Sequence, residues 1–315
     1  MLRMVKVLEK KSLDCILERL PDRIKLPLQR SRSAFEDKVT EIVIRAESPV
    51  CIYERKRMFF ITDSGYLTNS AYAENLLITS SKEMEQTVLR LCDYSIYAFQ
   101  NEINSGFITI EGGVRVGLCG KAVLNHGEIT NIRDISSLSF RVARDISECA
   151  TSLLQKLDPL SGVLICGIPG SGKTTLIRDA ARQLSYRYRV SVLDERGELS
   201  AFHRGKSGFS LGLCDVYNGY PKGIAANCAI RSMAPDIIVC DEMGDQSDVD
   251  LLLYSMRCGT AFIATVHASS MQDLRRREIT SKMINTGAFR YIVFLSANSN
   301  VGHIEKIYEM CDARD

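Results

Sequence analysis

The sequence predicts an α/β protein: a C-terminal domain built on a mostly parallel sheet with flanking helices, preceded by a smaller α+β domain. Three observations lead there. In the second half, apolar strand-like runs alternate with helical runs in a βαβ rhythm. Within that rhythm, "GVLICGIPGSGKTTL" passes from an apolar strand through a glycine-rich loop into a helix. The first half instead carries short β-rich runs joined by glycine turn signals, with a helix or two between them.

The first domain is expected over about residues 1–145 and the second over 146–315, a division in keeping with ordinary domain sizes. At the N-terminus, "LDCILERLPDRI" reads as a helix with Ile16, Leu17 and Leu20 on one face. That face can pack on its own chain or dock a partner. "TEIVIR", "CIYE" and "MFFIT" read as strands, and "SKEMEQTVLRLC" as a helix that opens on serine. "FITIEGGVRVGLCGKAVL" reads as two strands joined at Gly112–Gly113, with a second turn at His126–Gly127. In the second half the expected strands are "GVLICG", "VSVLD", "DIIVCD", "GTAFIATV" and "YIVFL". Helices are expected from Lys173 and through "VDLLLYSMR".

Composition restricts the function classes. The 315 residues are 45% hydrophobic and 25% charged, the balance of a soluble globular protein. A net charge of +2 gives no electrostatic footprint for nucleic acid, and none is expected as a partner. No apolar run approaches the ~18 residues of a membrane span, and "MLRMVKVLEKKSLDC" lacks the continuous apolar core of a signal peptide. Eleven cysteines without a CxxC pair read as reduced core residues of a cytoplasmic protein, not as a zinc site.

The phosphate loop is the strongest motif. Gly167, Gly172, Lys173 and Thr174 fit G-x-x-x-x-G-K-[ST]. Gly167, Ile168, Pro169, Gly170, Ser171, Gly172, Lys173, Thr174 and Thr175 are therefore the candidate ATP-binding residues. Backbone N–H groups would wrap the phosphates, helped by the helix N-terminus. Lys173 would reach the β- and γ-phosphates and Thr174 would ligate Mg2+.

"PDIIVCDEMGD" raises a second question, because two adjacent carboxylates at the end of a buried strand repel one another and resist desolvation. A bound cation offsets that repulsion. Asp241 is the expected Mg2+ partner and Glu242 the base that orients and deprotonates the attacking water. This reading places the Asp241 strand directly beside the phosphate-loop strand, and it favours hydrolysis of ATP over transfer to an acceptor.

"VSVLDERGELS", "IRSMAPDIIVCDEMGD" and "GTAFIATVHASS", in that order, resemble the ATPases of type II and type IV secretion systems and the pilus retraction motors. Together with "GFITIEGGVRVGLCGKAVL" and "IRDISSLSFRVAR", they resemble more closely a sporulation-stage branch of that superfamily in spore-forming bacteria. The resemblance spans about residues 80–310 and implies a RecA-like ATPase domain. It places Asp194, Glu195 and Glu198 in an acidic box near the metal, and His267 in a box that senses nucleotide state. It also implies a hexameric ring in which arginines of the first domain approach the nucleotide. Arg141 and Arg144 are the first candidates, ahead of Arg115, Arg133, Arg196 and Arg231. Membrane proteins of a sporulation or secretion channel would be partners, with the chain peripheral at the inner face of the membrane through them.

Three departures accompany the resemblance. Secretion ATPases commonly carry Gly-Glu where this chain has Asp241–Glu242, and an arginine where it has Gly244; the paired-cysteine metal module of some relatives is absent. A small-molecule kinase and a DNA-translocating ATPase remain as alternatives. "GFSLGLCDVYNGYPKG" reads as a long irregular loop, either functional or a surface excursion.

Overall fold

The computed structural model describes residues 12–54, 57–142, 145–202, 205, 207–296 and 302–310. The chain divides into two compact units, Met1–Arg144 with His203–Gly208, and Asp145–Phe202 with Phe209–Asp315.

The first unit holds β1 (Glu41–Arg45), β2 (Ser48–Pro49), β3 (Cys51–Glu54), β4 (Arg57–Ile61), β5 (Leu67–Thr68), β6 (Ile78–Thr79), β7 (Phe107–Ile110), β8 (Val114–Asn125) and β9 (Glu128–Arg141). All but β2 and β6 form one sheet in the order β5-β4-β3-β1-β9-β8-β7, paired antiparallel throughout. Alternation does the folding here: β7 buries Ile108 and Ile110, and β8 buries Val114, Val116 and Leu118, so one face is apolar. The helices cover that face. Ile16 and Leu17 of the N-terminal helix Ser12–Arg19, Leu20 just after it, and Met84, Val88 and Leu91 of the helix Ser81–Leu91 join Phe140 in one core. The N-terminal helix therefore packs on its own chain, which settles the choice left open by its sequence. Ser80 and Glu83 close the second helix with a reciprocal capping box. Both turn signals act as expected, since Gly112, Gly113, His126 and Gly127 all take positive φ.

In the second unit follow β10 (Val163–Gly167), β11 (Val190–Asp194), β12 (Asp215–Asn218), β13 (Ile237–Cys240), β14 (Ala261–His267), β15 (Tyr291–Leu295) and β16 (Ile304–Glu309). Their order is β12-β11-β13-β14-β10-β15-β16, parallel except for β16 at one edge. β10, β11 and β13 are buried at every residue, as strands covered on both faces must be. The helix Lys173–Leu184 lays Leu176, Ile177, Ala180, Ala181 and Leu184 against the sheet, the face read from the sequence. Two strands were not foreseen. β12 lies inside the segment read as an irregular loop, and β16 follows the last expected strand.

One expectation fails. β13, which leads to Asp241, does not neighbour the phosphate-loop strand β10; β14 lies between them and pairs with both. A parallel crossover can skip a position, and apolar runs on their own carry no record of the order.

Cys166 and Cys240 are fully buried in β10 and β13, and burial pushes both thiols far above their ordinary range. Cys119, Cys228 and Cys258 are exposed. Among the described residues, no helix is long and apolar enough to cross a membrane.

Candidate active site

Parallel strands all end on the same edge of a sheet, and that is where the polar residues of this unit collect. β10 ends at Gly167, β11 at Asp194, β13 just before Asp241 and β14 at His267.

The loop after β10 curls tightly. A Cβ on Gly167 would stand 2.4 Å from Ser171 Oγ, and Gly170 and Gly172 sit at φ +78° and +94°, which glycine adopts without strain. Ser171 Oγ is buried without a protein hydrogen-bond partner. Lys173 opens the following helix and is buried. Its ammonium folds back over the loop, donating to the carbonyls of Gly167 at 2.9 Å and Ile168 at 3.1 Å. Burial pulls the Lys173 pKa below its ordinary value, with the negative charges of Asp241 and Glu242 opposing that pull.

Across the edge, Thr174 Oγ1 donates to Asp241 Oδ2 at 2.7 Å, and Thr265 Oγ1 donates to Asp241 Oδ1. The intervening strand β14 is thus part of the site. Its His267 pairs in register with Gly167. One ring nitrogen, Nδ1, stands 3.1 Å from Lys173 Nζ, and the other, Nε2, stands 3.1 Å from Glu242 Oε1. An ammonium can only donate and a carboxylate can only accept. The partners therefore select the neutral tautomer, with Nδ1 accepting and Nε2–H donating. The resemblance put His267 in a box that senses nucleotide state; the structure places it between Lys173 and Glu242.

Glu242 sits at φ +48°, a left-handed conformation that costs an L-residue about 1–3 kcal/mol. Its N–H donates to Thr265 Oγ1 at 2.8 Å, and its carboxylate also meets Arg196. Burial raises the Glu242 pKa, but the hydrogen bond from His267 and the charges of Arg196 and Lys173 outweigh it. The carboxyl lies below its ordinary value.

The acidic stretch after β11 separates into distinct parts. Asp194 is buried and accepts from Leu199 N, Ser200 N and Ser200 Oγ at 3.1, 2.7 and 2.5 Å, so it shapes the loop from within. Glu195 is exposed and lines a cavity of about 510 Å³ with Arg196, Glu198, Asp241, Glu242 and Lys222. Arg178, from the helix Lys173–Leu184, donates to the carbonyls of Leu199 and Glu198, tying this stretch to that helix. Arg141 is exposed at the end of β9 in the first unit. Arg144 lies outside the described residues.

The sequence reading missed Lys222, Asp245 and Asp248. Lys222 Nζ donates to the carbonyl of Glu242 at 2.7 Å and meets Asp248 Oδ1 at 3.3 Å. Asp245 and Asp248 form a capping box on the helix Gln246–Arg257. The D-x-x-D spacing just before an apolar helix was the available signal for that box.

Residues 9–314 match the family described as "Sporulation stage III, protein AA". The chain belongs to that family. A stage III sporulation protein AA relative, from Bacillus subtilis (strain 168), is 31% identical over 303 residues, covering 93% of this chain and 94% of that one. Among solved structures, the Legionella pneumophila ATPase DotB superposes with a TM-score of 0.54 at 17% identity, over 87% of this chain and 77% of its own. The pilus retraction motor PilT, solved with bound ADP, gives 0.54 at 14% identity, over 89% and 80%. This member of the sporulation stage III protein AA family therefore has the RecA-like fold of those ATPases, and at such identity the likeness concerns fold.

Proposed function

We propose that the chain is a Mg2+-dependent ATPase acting as the motor of a secretion-type membrane complex in sporulation. The observation that carries the reading is the convergence of Lys173, Thr174, Asp241, Glu242 and His267 from three strands onto one edge of the sheet.

The loop fits a triphosphate. Its glycines leave room for oxygens where a side chain would collide, and the buried Ser171 hydroxyl has hydrogen-bonding capacity to offer. Lys173 can exchange its two loop carbonyls for phosphate oxygens, which are stronger acceptors for an ammonium. Thr174 and Asp241 present hard oxygen atoms 2.7 Å apart, a donor set suited to Mg2+ completed by water and phosphate. Mg2+ when bound supplies charge neutralisation at the phosphates.

Glu242 is the water-activating base. Its lowered pKa keeps it ionised at neutral pH, and His267 and Arg196 each donate to one of its two carboxylate oxygens, which fixes the direction of the group. His267 touches both Lys173 and Glu242. A change at the phosphate end of Lys173 is felt at the base through this one ring, which gives a neutral imidazole a sensing role. Glu195, at the rim of the same cavity, is placed to bind or orient water.

The active form is a homo-oligomer, taken as a hexamer, completed in trans by Arg141 or Arg144. Partner proteins embedded in the membrane between mother cell and forespore receive the work. The chain itself is cytoplasmic and reaches the membrane through them.

The test is phosphate release from ATP per protomer across a wide range of protein concentration, with Lys173→Ala as the blank. A specific rate that climbs with concentration is the expected result. A flat, appreciable rate would remove the inter-subunit site. No release above the blank, with rapid phosphorylation of an added small acceptor, would favour a kinase instead.

A further inference from the structure

Glu242 is the strained residue of the site, and its carboxylate contacts do not account for its backbone. Two sets of contacts hold the segment 242–245. On one side β14 supplies Thr265, whose Oγ1 accepts from Glu242 N and whose carbonyl accepts from Met243 N at 2.9 Å. On the other side stand Lys222 and Asp248. Lys222 donates to the Glu242 carbonyl, while Asp248 Oδ2 accepts from Gly244 N at 2.6 Å and Asp245 N at 3.1 Å. Lys222 and Asp248 also meet each other, with 15% and 1% of their side chains exposed. The pair forms a buried charged clamp on the backbone that carries the base.

Lys222 is the first residue of the helix Lys222–Ser232, directly after Pro221. It is delivered there by β12 and the turn that follows, the stretch whose role the sequence left open. Gly219 N donates to the carbonyl of Asp194 at 3.0 Å, which anchors that turn to the end of β11.

We propose that Lys222 is a positioning residue for hydrolysis. It fixes Glu242 in its left-handed conformation, and with it the direction in which the carboxylate points. The proposal rests on the assignment of Glu242 as the base. Its chemistry is simple: the strongest donor available to the Glu242 carbonyl is an ammonium held in place by a buried carboxylate. Misplacing a base by about 1 Å costs on the order of 100-fold in rate. Lys222 makes no contact with Lys173, Thr174 or the loop carbonyls, so nucleotide affinity is spared.

The experiment compares Lys222→Met, Lys222→Arg and the double variant Lys222→Met/Asp248→Asn. The double variant removes the whole ion pair and so avoids stranding a buried carboxylate, which could unfold the single one. The readouts are kcat for ATP hydrolysis, Kd for a fluorescent ADP analogue, and amide hydrogen exchange over residues 241–246. Expected results are a fall in kcat of about 10- to 100-fold, with Kd unchanged, faster exchange in that segment, and partial recovery of kcat in Lys222→Arg. Unchanged kcat and exchange in a folded double variant would overturn the proposal. So would a loss of Kd in step with kcat, which would make Lys222 a ligand contact or a general support. If the wild-type chain binds nucleotide but hydrolyses none, the assignment of Glu242 fails. Exchange over 241–246 then decides separately whether Lys222 fixes the segment.

Discussion

The two large sheets use opposite strand directions, and the contrast explains where the chemistry lies. In the antiparallel sheet β5-β4-β3-β1-β9-β8-β7, neighbouring strands end on opposite edges, so no edge gathers their loops. Its interior residues instead make one continuous apolar face around Phe140 and Ile52. In the parallel sheet, β10, β11, β13 and β14 all end together, and each delivers a polar group to the same place. The first arrangement yields a core, the second a core and a site. Strand direction, rather than composition, divides the labour between them.

Substitutions sharpen this contrast, beginning with the largest expected effect. Glu242→Gln keeps the shape of the proposed base and removes its charge. Hydrolysis should fall by about 10²–10⁴-fold while nucleotide still binds, as measured by phosphate release and by titration of a fluorescent analogue. Loss of binding as well would mean that Glu242 belongs to the phosphate cradle, and the division of roles along the edge would have to be redrawn.

Phe140→Ala strikes the other sheet. Phe140 is fully buried, and its truncation should cost about 3–5 kcal/mol in chemical denaturation. Nucleotide affinity should change little. A matching loss of affinity in protein that is still folded would break the contrast, because the antiparallel unit, proposed to lend only an arginine in trans, would then be shown to support nucleotide binding itself.

The smallest effect concerns Glu83 in the first unit. The forked hydrogen bonds from Arg23, at 2.7 and 2.8 Å, are the main reason that its pKa is pulled down to about 2. Burial opposes that shift and Ser80 adds to it. A depressed pKa stabilises the fold above the ordinary value of 4.5, and the contribution is lost as pH falls from there towards about 2. Because Arg23 is half exposed, the contribution is discounted to about 1 kcal/mol. Urea midpoints should fall across that interval in the native chain and fall less in Glu83→Gln. Equal slopes would show that the Arg23–Glu83 pair adds nothing to stability.

What could be read from the sequence followed local rules. Glycine spacing singled out the candidate phosphate loop, where the close approach of Gly167 and Ser171 leaves no room for a Cβ. Apolar periodicity found the strands of the parallel sheet, except the short β12 and the edge strand β16, which are not fully buried and so lack a continuous apolar run. The doubled acid pointed to Asp241 and Glu242. What could not be read was pairing. Nothing in "GTAFIATVHASS" says that its strand separates the acidic strand from the loop strand, so the link from Lys173 through His267 to Glu242 emerges only in three dimensions. Lys222 was hidden for a related reason: it stands 20 residues from Glu242 in a stretch without periodicity. The acidic box was legible as a group, but its members proved unequal, with Asp194 engaged inside its own loop and Glu195 facing the cavity.

The unequal burial of the cysteines has a practical outcome. Thiolate is the reactive form, and the environments of Cys166 and Cys240 suppress it, so these two strands resist alkylating reagents without any mutation. Cys119, on β8, and Cys228 and Cys258, in the second unit, remain open to maleimide chemistry. The native chain thus already carries attachment points for a donor and an acceptor dye, one described in the first unit and two in the second. Among the described residues, removal of Cys228 or Cys258 leaves one exposed thiol in the second unit, and energy transfer between the dyes would then test whether added ATP changes the separation of the two units.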